Sequence, residues 1–315
     1  MRETVRNIHP RRSILPVGFR LRFTAPVGFI QVLGAFPTVG WGVLLTLLFL
    51  TLSADTFRPE STALMAGLFL TIGVSHGALD HLTDSGRKDN RALVRFIAVY
   101  LFKAGLFGLL WMIFPVGALI LFLLYSAWHF GQADFKEWGL KEDWKAFAWG
   151  SMVIADVLLL HPAETSDIIS GMVGFTIGEG HASSAGHFTT TTGVLSGAVI
   201  AVSLLFAAVE RSGKMFITLS YIIIGSALPL LIAFGIYFTA QHSLNSWKQL
   251  KAGLGETYSR LWIRSLPFGL GGALLIFTFV LFGGGRYAAT LFIVLSCLSI
   301  PHVIRMHRFY IKSND

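Results

Sequence analysis

The chain has 315 residues, of which 54% are apolar and only 13% are charged. Soluble domains carry about 25% charged residues, and the mean hydropathy of +0.65 is too high for a disordered protein. A single cysteine excludes a disulfide scaffold and a cysteine-ligated metal cluster. The composition therefore predicts a membrane protein. We interpret the net charge of +8 as a signal of membrane topology, so no nucleic-acid partner is expected.

The apolar segments predict about ten transmembrane helices. A bilayer crossing needs about 20 apolar residues, which leaves no room for a separate soluble domain. The first apolar segment is too long and begins too late for a cleavable signal peptide. Pro115 and Pro229 each mark the start of a new helix, because proline suits the first helical turn. An eight-helix arrangement remains open. The predicted spans are 33–53, 62–81, 94–113, 115–133, 146–161, 188–209, 215–228, 229–247, 264–282 and 287–305.

Lysine and arginine predict the orientation of these helices. Both residue types are retained on the cytoplasmic side of membrane proteins. Placing the N-terminus inside puts 22 of the 25 Lys and Arg residues on that side. We therefore predict an all-α, polytopic transmembrane helix bundle with both termini in the cytoplasm. Its parts are a basic cytoplasmic tail (1–32), a single transmembrane domain (33–305) and a second cytoplasmic tail (306–315).

Four of the predicted helices carry a histidine at a similar depth. These residues lie 13 to 15 positions after the predicted helix starts, and all four helices run from outside to inside. At 1.5 Å per residue, their depths agree to within about 3 Å. An ionisable residue inside a bilayer is costly and is a candidate for function. The four candidates are His76, His129, His242 and His302.

A layer of four imidazoles predicts a metal site. Neutral histidine is the commonest metal ligand, and histidines without thiolates suit iron, copper or zinc. A haem held by two of the histidines is the alternative. Asp80 follows His76 by four residues, so on one helix face it is expected to accept the ring N–H of His76 and orient that ring. Further candidates for such supporting contacts are Asp134, Gln132 and Asn245.

Small and aromatic residues accompany the histidines. Gly77 and Gly131 lie within two residues of His76 and His129, where they leave room either for close helix packing or for a substrate. The aromatic residues near the four histidines either line an apolar tunnel or belong to the interfacial belt of a membrane protein. They are Trp128, Phe130, Tyr237, Phe238 and Trp247.

Each histidine lies in a short motif: HGALDH at 76–81, WHFGQAD at 128–134, QHS at 241–243 and PH at 301–302. In this order, over roughly residues 62–305, the motifs resemble those of the Brp/Blh family of membrane β-carotene 15,15′-dioxygenases. The resemblance implies a non-haem Fe(II) held by His76, His129 and His242. Some members have a second histidine four residues after the one in QHS, where this chain has Ser246. Either His302 completes the site, or three histidines hold the iron.

The resemblance also implies a reaction and a location. The reaction is cleavage of the central double bond of β-carotene by O₂ to give two retinals, in the inner cell membrane. From the residues themselves we add His302 as a further metal ligand and Asp80 as the group that orients His76, so the expected catalytic residues are His76, His129, His242 and Asp80. The substrate dissolves in the lipid bilayer, so an active site that opens to lipid suits it. A retinal-binding rhodopsin is the expected downstream partner.

The buried histidines also suit two other functional classes. A membrane di-iron oxidase is disfavoured, because such enzymes need more than four histidines in HxxxH and HxxHH runs that this sequence lacks. A transporter, or a haem-carrying electron-transfer protein that uses buried histidines, is the alternative function.

Overall fold

A computed structural model of the chain describes residues 37–52, 59–83, 90–174, 185–282 and 287–312. These residues form helices and contain no β-strand, in agreement with the predicted all-α class. The predicted basic tail, 1–32, lies outside the described residues. The helices are α1 (Thr38–Leu52), α2 (59–77), α3 (Asn90–Ile113), α4 (Pro115–Trp138), α5 (Trp144–Leu159), α6 (Pro162–Val173), α7 (Ala185–Val209), α8 (Gly213–Gly225), α9 (230–254), α10 (Tyr258–Phe282) and α11 (Tyr287–Lys312).

Several of these helices are suited to crossing a membrane. Within the described ranges, four are long and apolar enough: Glu60–Leu82, α3, α4 and α11. A fifth is added if α5 and α6, which meet at 103°, form one broken span. Helices α1 and α8 are apolar but shorter. The count of about ten crossings and the cytoplasmic position of both termini stay predictions.

Prolines mark three helix starts. Pro115 is the first residue of α4, and Pro229 directly precedes α9, so both predicted helix starts are confirmed. Pro162 begins α6 at the sharp bend after α5. Proline is favoured at these positions because backbone N–H groups in the first helical turn have no partner within the helix, so the lack of an N–H in proline costs no hydrogen bond. At the other end of the chain, α11 continues past residue 305 to Lys312, into the segment predicted as a tail.

Many apolar side chains are exposed on the outside of the bundle, while several polar side chains are buried inside it among apolar ones. A lipid environment accounts for the exposed apolar surface, because such surface has no cost in lipid, whereas an unpaired polar group there does. Exposed apolar residues on α3 and α7 include Phe102, Met112, Ile113, Leu205 and Val209. Buried polar residues include Asp80, Asp134, Gln132, Gln241 and Asn245.

Helices α4 and α5 pack with their backbones in close contact. A Cβ atom placed on Gly131 would lie 1.7 Å from the carbonyl oxygen of Ala146, and one on Gly150 would lie 1.9 Å from that of Ala127. No side chain fits at either position. Gly131 therefore serves close helix packing, which resolves the alternatives left open by its sequence.

Helices α2 and α9 each contain a π-helical segment. In α2 the segment is Phe69–Val74, followed by one short turn, Ser75–Gly77, and a 3₁₀ turn, Asp80–Leu82. In α9 it is Tyr237–Ser243, between regular turns on both sides. The two segments pack against each other at Gly73, where a Cβ atom would lie 2.8 Å from the Phe238 ring. π-Helical segments are frequent at functional sites. Here the segment in α2 lies next to His76, and the segment in α9 contains His242.

Candidate metal centre

Four histidines from four helices meet inside the bundle. They lie on α2, α4, α9 and α11, and each exposes 6% of its surface or less. The ring centroids are 4.9 Å apart for His76 and His302, 5.0 Å for His129 and His302, 4.8 Å for His129 and His242, and 5.2 Å for His76 and His242. The structure thus brings together all four histidines that the sequence singled out. We call this group the histidine cluster.

Three members of the cluster present nitrogen atoms at ligand spacing. One ring nitrogen from each of His76, His129 and His302 lies within 4.8 Å of the other two. Nitrogen ligands about 2.1 Å from one cation are at most about 4.2 Å apart, so small rotations of the rings would suffice. His242 adjoins two of these rings but lies outside the tightest group. His302, which the resemblance alone does not assign as a ligand, therefore lies as close to the other two nitrogens as His76 and His129 do.

Hydrogen bonds fix two of the rings and leave one nitrogen of each available. Nδ1 of His76 donates to the carbonyl oxygen of Gly73. Nδ1 of His302 donates to Oδ1 of Asp80 at 2.8 Å. Such bonds hold a ring in the tautomer whose Nε2 lone pair can bind a metal. Both rings are thus held with Nε2 available to bind a metal.

Several ring nitrogens of the cluster are buried without partners. Among the described residues, Nε2 of His76, Nε2 of His302, Nδ1 of His242 and both nitrogens of His129 have no hydrogen-bond partner. A buried polar atom without a partner costs about 1–3 kcal/mol. A shared cation would satisfy several of these atoms at once. The donor set therefore fits a divalent metal of the kind that imidazole prefers, such as iron, copper or zinc.

Asp80 contacts a different histidine from the one expected. The sequence placed it on the same helical face as His76, but its carboxylate accepts from His302 of α11. The cause is local: α2 ends at Gly77, and Asp80 begins a separate 3₁₀ turn. Because Asp80 does not continue α2, the spacing of four residues does not put it on the same face as His76. Asp80 therefore contacts the cluster through His302 and not through His76.

A second carboxylate, Asp134, joins the helices that carry His129 and His242. Asp134 is fully buried, and its Oδ2 accepts hydrogen bonds from Trp149 Nε1 (2.9 Å), Tyr237 OH (3.1 Å) and Gln241 Nε2 (2.7 Å). Its Oδ1 accepts from Asn245 Nδ2 at 2.8 Å. Three of these donors lie on α9, beside His242. The carboxylate therefore fixes the position of α9 against α4.

The network around Asp134 extends to α8 through Gln241. Its side-chain oxygen accepts hydrogen bonds from Thr218 and Tyr221, both at 2.8 Å. The sequence singles out Asp134 and Asn245 as supporting residues, but it assigns no such role to Gln241, to Tyr237 or to these α8 hydroxyls. The only sequence signal was that Gln241 directly precedes His242. Gln132 does not join this network: its amide contacts His307 at 3.1 Å.

A cavity of about 390 Å³ opens beside the histidine cluster. All four histidines and Asp80 line it at one side, and its other walls are mostly aromatic and aliphatic. Phe238 lies over the His242 ring with centroids 5.5 Å apart. Of the five aromatics noted in the sequence, Phe130 and Phe238 line the cavity. Such walls suit a long apolar ligand.

A smaller cavity of about 70 Å³ adjoins the first. Phe122, Phe130, Phe234 and Phe292 line both cavities and form the partition between them. On the far side the small cavity is bounded by aliphatic residues of α5 and α6, including Val153, Ile154 and Ile168. The two apolar cavities are therefore neighbours that share a wall of phenylalanine rings, and the larger one contains the histidine cluster in its lining.

Comparison with known proteins places the chain in a family. The family model described as β-carotene 15,15′-dioxygenase matches residues 67–310. A similar relative, named β-carotene 15,15′-dioxygenase and found in uncultured marine bacterium 66A03, is 26% identical over an alignment of 271 residues; the match covers 75% of this chain and 90% of the relative. No solved structure matches the chain. The resemblance seen in the four motifs is confirmed: the chain belongs to the β-carotene 15,15′-dioxygenase family of carotenoid-cleaving enzymes.

Proposed function

We propose that this chain cleaves the 15,15′ double bond of β-carotene with O₂ to give two molecules of retinal, at a non-haem Fe(II) site in the inner cell membrane. The observation that carries the proposal is the buried histidine cluster with unpaired ring nitrogens at the wall of an apolar cavity. Family membership supports the choice of substrate. The related enzyme from the marine bacterium carries the same activity in its name.

His76, His129, His242 and His302 would hold the iron. His302 would be the fourth ligand, because Ser246, at the position where some relatives have histidine, donates its hydroxyl to the backbone carbonyl of His242 at 3.1 Å. An Fe(II) ion held by neutral imidazoles supplies a centre at which O₂ is activated. Gly73 and Asp80 keep the rings of His76 and His302 in the metal-binding tautomer.

The cavity would recognise the substrate by shape and apolarity alone. β-Carotene has no polar group to accept or donate a hydrogen bond, so aromatic and aliphatic walls are its natural binding surface. Gly77 lies at the cluster wall, where a Cβ atom would be 3.4 Å from Nδ1 of His302. The phenylalanine partition would curve around the polyene and keep water away from the reacting double bond.

The experiment is expression in cells that accumulate β-carotene, followed by pigment extraction. The chain is expected to bleach the cells and to produce retinal. His129→Ala is expected to abolish retinal formation, whereas His307→Ala, which changes a histidine outside the cluster, should preserve it. Retinal at the unchanged level in His129→Ala would remove that residue from the site. An absorption spectrum of the purified protein excludes the haem alternative if it lacks a Soret band.

A further inference from the structure

The large cavity reaches the outer surface of the bundle between α3 and α10. Tyr100 and Leu101 of α3 line it on one side of this gap, and Gly271 and Leu275 of α10 line it on the other. Leu101 lines the cavity and yet exposes 52% of its surface. Gly271 also lines the cavity and is exposed. The wall between the cavity and the surroundings is therefore a single residue thick at this gap.

The gap lies halfway along both helices. Leu101 is the twelfth of the 24 residues of α3, and Gly271 is the fourteenth of the 25 residues of α10. Because α3 is long and apolar enough to cross a bilayer, its midpoint lies at the level of the hydrocarbon core, whichever way the chain is oriented. The gap therefore faces lipid chains, and a molecule that enters through it comes from the lipid phase.

The residues around the gap are apolar. The gap is open at residue 271 because that residue is a glycine and has no side chain. Phe102 of α3 and Leu270 and Leu274 of α10 are exposed beside it. A Cβ atom added to Gly271 would meet no atom within 4 Å, so the space next to this glycine is open. A bulky side chain at residue 271 would fill the gap without displacing its neighbours.

We propose that the gap between α3 and α10 is the entry through which the carotenoid passes from the bilayer to the histidine cluster, and that Leu101 and Gly271 set its width. The inference rests on the proposed function for the identity of the ligand, a long polyene without polar groups. The gap joins the lipid-facing surface to the cavity wall that carries His76 and His302.

The first test narrows the entry from α10. Gly271→Phe in the purified protein, in vesicles that contain β-carotene, is expected to lower kcat/KM by about tenfold or more, because the rings of the substrate no longer pass. Iron content and the yield of folded protein should not change. The control is Gly105→Phe, at an exposed glycine of α3 that also has open space around it and lies away from the cavity. Its kcat/KM should equal that of the unchanged protein.

The second test narrows the same entry from α3, so that the result does not depend on one variant. Leu101→Trp is expected to reproduce the loss, whereas Leu109→Trp, at an equally exposed leucine (49%) of the same helix outside the cavity, should not. Unchanged kcat/KM in both Gly271→Phe and Leu101→Trp would overturn the proposed entry.

Entry is also measured without turnover. Under anaerobic conditions, β-carotene transferred from vesicles should quench tryptophan fluorescence of the unchanged protein, and more slowly in Gly271→Phe and Leu101→Trp than in their controls. Equal rates in all variants would contradict the entry. The two proposals can fail separately. If β-carotene uptake is slower in the two variants but the unchanged protein forms no retinal in air, the result would support the entry and contradict the proposed function.

Discussion

Nδ1 of His302 donates a hydrogen bond to Oδ1 of Asp80 at 2.8 Å, although 222 positions separate the two residues in the chain. Both side chains are buried, and both line the cavity at the histidine cluster. The bond leaves Nε2 of His302 as the nitrogen that is free to bind a metal. It also ties the last helix of the chain to the turn that follows α2.

Asp80→Ala is expected to weaken iron binding. Without the carboxylate, the His302 ring loses its fixed orientation and tautomer, and loss of such a supporting contact lowers metal affinity by about 10- to 100-fold. Asp80→Asn keeps an acceptor oxygen and should lose less. The measurement is a titration of the metal-free protein with Fe(II) in competition with a chelator. Asp156→Ala, at another buried carboxylate on a helix without a cluster histidine, is the control. Equal affinities for Asp80→Ala and the control would contradict the assigned role.

Asp134→Ala is expected to destabilise the fold. The substitution leaves four buried donors without their acceptor, and removal of one partner from such a network costs about 3–5 kcal/mol. Asp134→Asn should cost less, because its amide oxygen can still face the three donors at the Oδ2 position. Trp149→Phe removes a single bond to the carboxylate and should cost about 1.5–3 kcal/mol. The measurement is reversible unfolding in mixed detergent micelles. A stability of Asp134→Ala equal to that of the unchanged protein would refute the proposed network.

Gly131→Ala is expected to be poorly tolerated. The new methyl group would overlap the carbonyl oxygen of Ala146, a backbone atom that cannot move aside without separating α4 from α5. Overpacking costs about 1–3 kcal/mol or more, and a backbone clash belongs at the upper end. Gly105→Ala introduces the same methyl group into open space and should be neutral or stabilising by up to about 1 kcal/mol. The thermal unfolding temperatures of the two variants give the comparison, and equal values would exclude the close α4–α5 contact.

The predicted orientation puts both termini in the cytoplasm. A green fluorescent protein fused after residue 315 should therefore fluoresce in bacterial cells, and alkaline phosphatase fused at the same place should be inactive, because it folds only outside the cytoplasm. The reverse pattern would show that the positive-inside argument fails for this chain.

The sequence alone predicted the parts of the structure that depend on local rules. Pro115 and Pro229 set the positions of helix starts because proline restricts the backbone of its own turn. The common depth of the four histidines followed from the rise of a helix, which is nearly the same in all helices. Their meeting in one cluster followed from the cost of burying polar groups in lipid without partners.

Two features depend on interactions that sequence spacing does not reveal. The π-helical segments in α2 and α9 change which side chains share a face, and their sequences, FLTIGV and YFTAQHS, carry no signal for the extra residue. The contact between Asp80 and His302 is hidden for another reason, because the helix ends at Gly77 and Asp80 begins a separate 3₁₀ turn. The Asp134 network joins residues up to 111 positions apart, so its partners appear only when α4 and α9 are in contact.

Metal analysis of the purified protein tests the central claim most directly. We expect about one iron per chain without a haem absorption band, as a single four-histidine site implies. Iron should remain in His307→Ala and be lost in His76→Ala and His302→Ala. A haem spectrum, or an iron content that stays the same in both cluster variants, would contradict the claim that the four histidines hold a non-haem iron.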